Sequence, residues 1–336
     1  MNQQLHADAS SRANPYTASS SGAMEEQSFI DKYLTPRVFE VPVPQGRTVR
    51  AYEVGPPEAP LVVGIHGTPS TGLGHIVNYV ASGALFCRLV VFDRPGYGGS
   101  TPQPGRKIRD IVPVVEAILD HLSVDIAAVY GHSGGGMLAL ATAALLPKRI
   151  SRAVCSAGNG PNFGPGGFDY ADGPSPLMRE EIVEARKGPE SSREFYRRVA
   201  SKLRDPEIEK QLYSENDRRV ACLLAPLRDQ IAQQLALPDS PYSEEDAYVD
   251  DAQSWVSPWG FDLGSITVPT RMLYGLEDLM AARRHSEWLQ TQIPNASLAL
   301  FPHFGHNLNQ LMPHMLAWLV QDELLFLPQS REALVD

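Results

Sequence analysis

Cysteine is scarce, with Cys87, Cys155 and Cys222 the only three in 336 residues. Three scattered thiols build neither a disulfide framework nor a metal cluster. Each sits among apolar neighbours, as a buried free thiol does, and such usage fits a reducing compartment. A dense block of lysine and arginine is missing as well. With 29 Lys and Arg against 39 Asp and Glu, the net charge is −10. The chain therefore lacks the basic footprint that nucleic acid or an anionic membrane surface requires. No apolar run reaches the roughly 18 residues of a membrane-spanning helix. Residues 1–28 are polar, rich in serine and alanine, and without the apolar core of a signal peptide. They are expected to form a disordered tail. These absences predict a soluble, cytoplasmic protein with a small-molecule partner and neither nucleic acid nor membrane.

What the chain does contain is an alternation of short apolar runs and helical patterns. Residues 37–43 (RVFEVPV) and 47–55 (RTVRAYEVG) flank a turn at Pro44-Gln45-Gly46 and predict two strands. The run LVVGIHG from Leu61 is continuously apolar, as a strand covered on both faces is, and 87–93 and 126–131 read as further buried strands. Helical patterns fall near 75–85 and over 107–122, where Ile108, Ile111, Val115, Ile118 and Leu122 share one face. Pro113 marks the start of that helix or a kink in it. An Ala/Leu helix after Gly134 and a strand over 150–158 complete this half, so the class is α/β with a largely parallel sheet. After 158 a Gly/Pro-rich loop leads into helical signals only. There Ser191, Ser214 and Ser243 each stand three residues ahead of an acid, as helix-starting caps do. Strands resume at 268–275 and 296–302, with helices over 281–292 and 313–326. The expected division is a core of 29–159 and 265–336, interrupted by an all-helical insertion over 160–264.

Within VYGHSGGGMLAL, residues 129–140, glycines crowd a serine. A phosphate-binding loop would need Lys-Ser/Thr after the glycines, and a dinucleotide fingerprint would need glycine where Ser133 stands. The arrangement Gly131-His132-Ser133-Gly134-Gly135 fits G-x-S-x-G instead. In that turn a strand stops, a strained serine is exposed, and a helix begins at once. Ser133 Oγ would then project above the sheet's carboxyl edge, with the Gly134 N–H aimed into the same space. A serine nucleophile needs a base, and the base an orienting acid. Asp278 follows the strand ending in RMLYG, and His306 follows the strand LALFP. Glu277 and His303 compete for these roles; the first is expected to face solvent and the second to pack at the strand end. In HGTPSTG, residues 66–72, Pro69 has no N–H, which leaves Thr68 as the second oxyanion donor and His66 as a brace for the loop. DRPGYGGS, 93–100, reads as a structural turn fixed by Asp93 and Ser100.

Taken together, HGTPS, DRPGYGGS, GHSGGG, YGLEDLM and FGHN resemble the α/β-hydrolase superfamily in its single-chain branch with a helical cap, over roughly residues 36–327. The resemblance implies a mostly parallel eight-stranded sheet whose first hairpin is antiparallel, a helical cap (lid) over the site, and no metal or organic cofactor. It also implies Ser133 as nucleophile, Asp278 as acid, His306 as base, and the Thr68 and Gly134 backbones as oxyanion hole. Haloalkane dehalogenases and epoxide hydrolases use an aspartate nucleophile, against the serine here. Proline iminopeptidases typically carry a Gly-Gly-Ser-Trp-Gly-Ser elbow and a Gly-Gly-Pro-Gly loop, both absent.

The expected function is serine hydrolysis of an ester, thioester, lactone or amide, of esterase or lactonase type, through an acyl-enzyme. C–C bond hydrolysis, acyl transfer and a lyase step on the same triad are alternatives, as is a ligand receptor without turnover. Phe163, Phe168, Tyr170, Trp255 and Trp259 are candidates to line an apolar substrate pocket, and equally to fasten the cap to the core.

Overall fold

Continuous apolar runs become strands here because both faces of the sheet are covered. In β3 (Leu61–Ile65), Leu61, Val63 and Ile65 face one core cluster and Val62 the other. In β4 (Arg88–Phe92), Val90 and Phe92 face the first cluster, and Leu89 and Val91 the second. The period of two is thus hidden by burial on both sides. The computed structural model describes residues 34–161, 175–202 and 205–321. The expected tail over 1–28 lies outside them, as do Phe163, Phe168 and Tyr170.

The remaining strands are β1 (Arg37–Val43), β2 (Arg47–Val54), β5 (Ala127–His132), β6 (Ile150–Ser156), β7 (Thr270–Gly275) and β8 (Ala296–Phe301). They form one eight-stranded sheet in the order β1-β2-β4-β3-β5-β6-β7-β8. Pairings β1–β2 and β2–β4 are antiparallel, and all others are parallel. One face carries α1 (Gly72–Ser82) and α10 (Met312–Val320). The other carries α2 (Val112–His121), α3 (Gly134–Leu145) and α9 (Arg283–Gln292). Pro113 stands in the first turn of α2, where its missing N–H costs nothing.

Among the described residues five α-helices lie between β6 and β7: α4 (Pro176–Lys187), α5 (Pro189–Ala200), α6 (Pro206–Leu212), α7 (Glu215–Leu235) and α8 (Glu244–Trp255). Leu177, Phe195, Leu212, Tyr248 and Val249 join four of them in a small core of their own. Ser214 and Ser243 cap α7 and α8 as expected, accepting from the backbone of Asp217 and Asp246. Ser191 does not cap. Its helix starts earlier, at Pro189 after Gly188, and its hydroxyl donates to Glu184 instead. Cys87 and Cys155 are buried, but Cys222 is exposed on α7. The apolar neighbours of Cys222 in sequence are spread around the helix, and burial falls on Val220 and Ile231. Trp259 is 4% exposed, stacked on Phe261 and packed into the main core, so it lines no cavity with the site residues. No helix among the described residues is long and apolar enough to cross a membrane.

Candidate active site

The turn between β5 and α3 holds Ser133 at φ 55° and ψ −124°, a strained backbone that leaves the side chain half-buried at the sheet's carboxyl edge. Flanking glycines permit it: a Cβ on Gly131 would collide with the Gly135 carbonyl, and one on Gly135 with the Ile65 carbonyl. The third glycine has its own reason. A Cβ on Gly136 would come 2.8 Å from Cys155 Sγ and 3.2 Å from Gly158 Cα, so α3 lies too close to the end of β6 for any side chain there.

Asp278 and His306 come from the loops after β7 and β8. The Asp278 carboxylate accepts from the N–H groups of Met280 (2.7 Å) and Ala281 (2.9 Å). His306 Nδ1 lies 2.9 Å from its Oδ2. This pairing places the ring proton on Nδ1 and leaves Nε2 as the free acceptor. Burial opposes charging of His306, yet the Asp278 carboxylate, with Asp217 behind it, outweighs burial and raises its pKa above the ordinary value. His132, whose ring centroid is 4.9 Å from that of His306, is kept neutral by burial and by the neighbouring histidines. Glu277 and His303 do face solvent and pair with each other at 3.4 Å. His303 is therefore not packed at the strand end.

Ser133, Gly134, Thr68 and His306 line one cavity, with Met137, Met178, Glu181, Ile182, Trp255 and Met280 among the other lining residues. Gly134 is the first residue of α3, so its N–H has no intrahelical acceptor. A Cβ on Gly134 would sit 2.8 Å from Thr68 Oγ1 and 3.8 Å from Thr68 N, which puts the two backbones side by side. Trp255 lines this cavity, and Trp259 is not among its lining residues.

The loops bearing these groups are gripped by carboxylates from the helical insertion, which sequence reasoning missed. Asp251 on α8 accepts from Thr68 Oγ1 (2.5 Å), Tyr97 Oη (2.8 Å), Arg94 Nη1 (2.9 Å) and Nη2 (2.7 Å), and Arg106 Nη2 (2.6 Å). Arg94 also donates to the Gly67 carbonyl and to Thr68 Oγ1, each at 2.8 Å. Burial alone would raise the Asp251 carboxyl, but the two guanidiniums hold it well below the usual carboxylate range. Asp217 on α7 accepts from the backbone N–H of His306 (3.0 Å) and of Asn307 (2.7 Å). Gly305 makes room for this contact, since a Cβ there would collide with the Asp217 carboxylate. In DRPGYGGS the structural turn is present: Asp93 accepts from Gly72, Gly99 and Tyr52, and Ser100 donates to the Asp93 carbonyl. Arg94 within it belongs to the site instead. His66 braces the same loop, accepting from the Arg94 N–H at 2.9 Å.

Residues 60–310 match the family described as alpha/beta hydrolase fold. Across 265 residues the chain is 26% identical to the 2-hydroxy-6-oxononadienedioate/2-hydroxy-6-oxononatrienedioate hydrolase of Cupriavidus pinatubonensis, covering 74% of this chain and 81% of that protein. It is 33% identical over 127 residues to the dihydrolipoyllysine-residue acetyltransferase component of the acetoin cleaving system of Pseudomonas putida, covering 35% of this chain and only 34% of that relative's length. Among solved structures it resembles the enol-lactonase of Burkholderia xenovorans, with a TM-score of 0.59, 20% identity, and coverage of 84% of this chain and 96% of that one.

Proposed function

The chain belongs to the α/β hydrolase fold family, and within it we propose a serine hydrolase that cleaves an ester, thioester, lactone or amide through an acyl-enzyme on Ser133. One observation carries this reading: a strained, half-buried serine shares a cavity with a histidine whose far nitrogen is already committed to a buried carboxylate. Ser133 Oγ attacks the acyl carbon while His306 Nε2 takes its proton. Asp278 holds the tautomer and stabilises the imidazolium that forms. The tetrahedral oxyanion is received by the N–H groups of Gly134 and Thr68. His306 returns the proton to the leaving group, the acyl-enzyme forms, and water activated by the same histidine then releases the acid.

A second reading, hydrolysis of an oxo-dioate, is favoured by the match along most of the Cupriavidus relative, whose name states such a substrate. Against it, no lysine or arginine lines the cavity among the described residues. A panel of p-nitrophenyl esters and lactones of graded acyl size tests the first reading. The serine-ester reading expects turnover by the wild type and none by Ser133→Ala; equal turnover by both proteins would defeat it.

A further inference from the structure

The cavity that holds Ser133 and His306 also contains an acid that this reaction does not use. Glu181, on α4, is half-buried and lines the same cavity. Tyr248 Oη, from α8, donates to its Oε1 at 2.6 Å. Tyr248 is buried and set against Tyr196 and Trp255, so it fixes the direction of the carboxyl. Among the described residues Tyr248 is the one hydrogen-bond donor to this carboxyl, which leaves Oε2 without a protein donor. Met178, Ile182, Trp255 and Met280 make the apolar part of the cavity wall, and Asn159 and His285 add polar groups to it. Removal from water pushes the Glu181 carboxyl up to about 7, with the Tyr248 bond pulling the other way. His285, on the same wall, supplies no positive charge, because burial and the nearby Arg284 take it down to about 4. A carboxyl with one oxygen oriented by Tyr248 and the other without a protein donor is placed to accept from a donor that arrives with a ligand.

We propose that Glu181 is a substrate-recognition residue: it accepts a hydrogen bond from an ammonium or hydroxyl group that the substrate carries away from its scissile bond, and it disfavours substrates bearing a carboxylate. The proposal rests on the serine-hydrolase reading, since it concerns the cavity in which that reaction occurs. A Tyr248-oriented carboxyl is a directional acceptor, suited to a single donor group. Above about pH 7, where Glu181 is ionised, the same oxygen placed near a second carboxylate meets like-charge repulsion, so the comparison is made on the alkaline side of that value.

The test compares p-nitrophenyl alkanoates of graded chain length with their ω-ammonio, ω-hydroxy and ω-carboxy analogues, and repeats the series with the added group on the alcohol side. kcat/KM is measured for the wild type and for Glu181→Gln and Tyr248→Phe. Ratios between substrates are taken within each protein, so that a general loss of activity cancels. In the wild type the ammonio or hydroxy analogue is expected to exceed the carboxy analogue by about tenfold or more. Glu181→Gln should reduce that ratio about tenfold, mainly through KM, and Tyr248→Phe should reduce it less. Preference for ammonio over hydroxy identifies a charged donor; equal preference identifies a neutral one. Either supports the proposal. Equal rates for all analogues in the wild type, or ratios unmoved by Glu181→Gln, overturn it. Fluorophosphonate labelling of the wild type separates the two failures. No labelling removes the serine reading and this proposal together; normal labelling with unmoved ratios removes this proposal alone.

Discussion

Replacing Asp251 with alanine removes the acceptor of five hydrogen bonds, one each from Thr68, Tyr97 and Arg106 and two from Arg94. Arg94 and Arg106, 2% and 7% exposed, are then left buried without that counter-charge. Of the two guanidiniums, Asp250 accepts only from that of Arg106, at 3.1 Å, and its other oxygen is taken by the Gly105 N–H. Breaking one side of a buried ion pair costs about 3–5 kcal/mol. For a domain of this size each kcal/mol moves the melting temperature by about 2–4 °C, so Asp251→Ala should melt roughly 6–20 °C below the wild type. Thr68 also loses the acceptor that fixes its side chain beside Gly134. Deleting an oxyanion donor typically costs about 10²–10³ in turnover; loosening one is expected to cost roughly 10–100-fold in kcat with little change in KM. Asp251→Asn, which keeps an acceptor oxygen, should fall between. The assay pairs thermal melts with steady-state kinetics below the variant's melting temperature. An Asp251→Ala protein that melts within roughly 1 °C of the wild type, or one that is folded and keeps its kcat, would refute the argument that this carboxylate ties the helical insertion to the oxyanion loop.

Other outcomes follow from the same contacts. His306 must be neutral to act as base, and its pKa is raised, so the acid limb of kcat/KM should lie above the ordinary histidine value of about 6.5. Asp217→Asn removes one of the negative charges that raise it and should shift that limb to lower pH, read from a pH–rate profile. Gly136→Ala places a methyl 2.8 Å from Cys155 Sγ and should cost about 1–3 kcal/mol in denaturant unfolding. Adding Cys155→Ala should recover part of that loss. Of the three thiols, Cys222 should react with a maleimide in the native protein. Cys87 and Cys155, buried and pushed up to about 12, should react only on unfolding.

Legibility in the sequence followed the range of the interactions. The elbow is local, since Gly131, Ser133, Gly134 and Gly135 fall within five residues and their spacing carries the turn. Asp278 and His306 were readable because each follows an apolar strand at the edge where the serine stands. The clamps were not readable. Asp251 meets Thr68 across 183 positions and Arg94 across 157, and no local pattern marks either partner. Arg94 was hidden inside a turn whose glycines and Asp93 explain the motif on their own. Asp217 was noticed only as the acid of the Ser214 cap, which it is; its grip on the His306 backbone depends on where α7 docks. Cys222 was expected among buried thiols, and Trp259 had two open readings, pocket or core, because composition gives apolarity and not direction. The cysteine faces out from α7, and the tryptophan faces the core.

The central claim is that Ser133 is a nucleophile activated by His306 and Asp278. Incubation with a fluorophosphonate followed by intact-mass and peptide mass spectrometry tests it most directly. A single adduct mapped to Ser133 is expected, lost in Ser133→Ala and strongly slowed in His306→Ala. An unlabelled wild type, or a Ser133→Ala protein that labels as fast as the wild type, would contradict it.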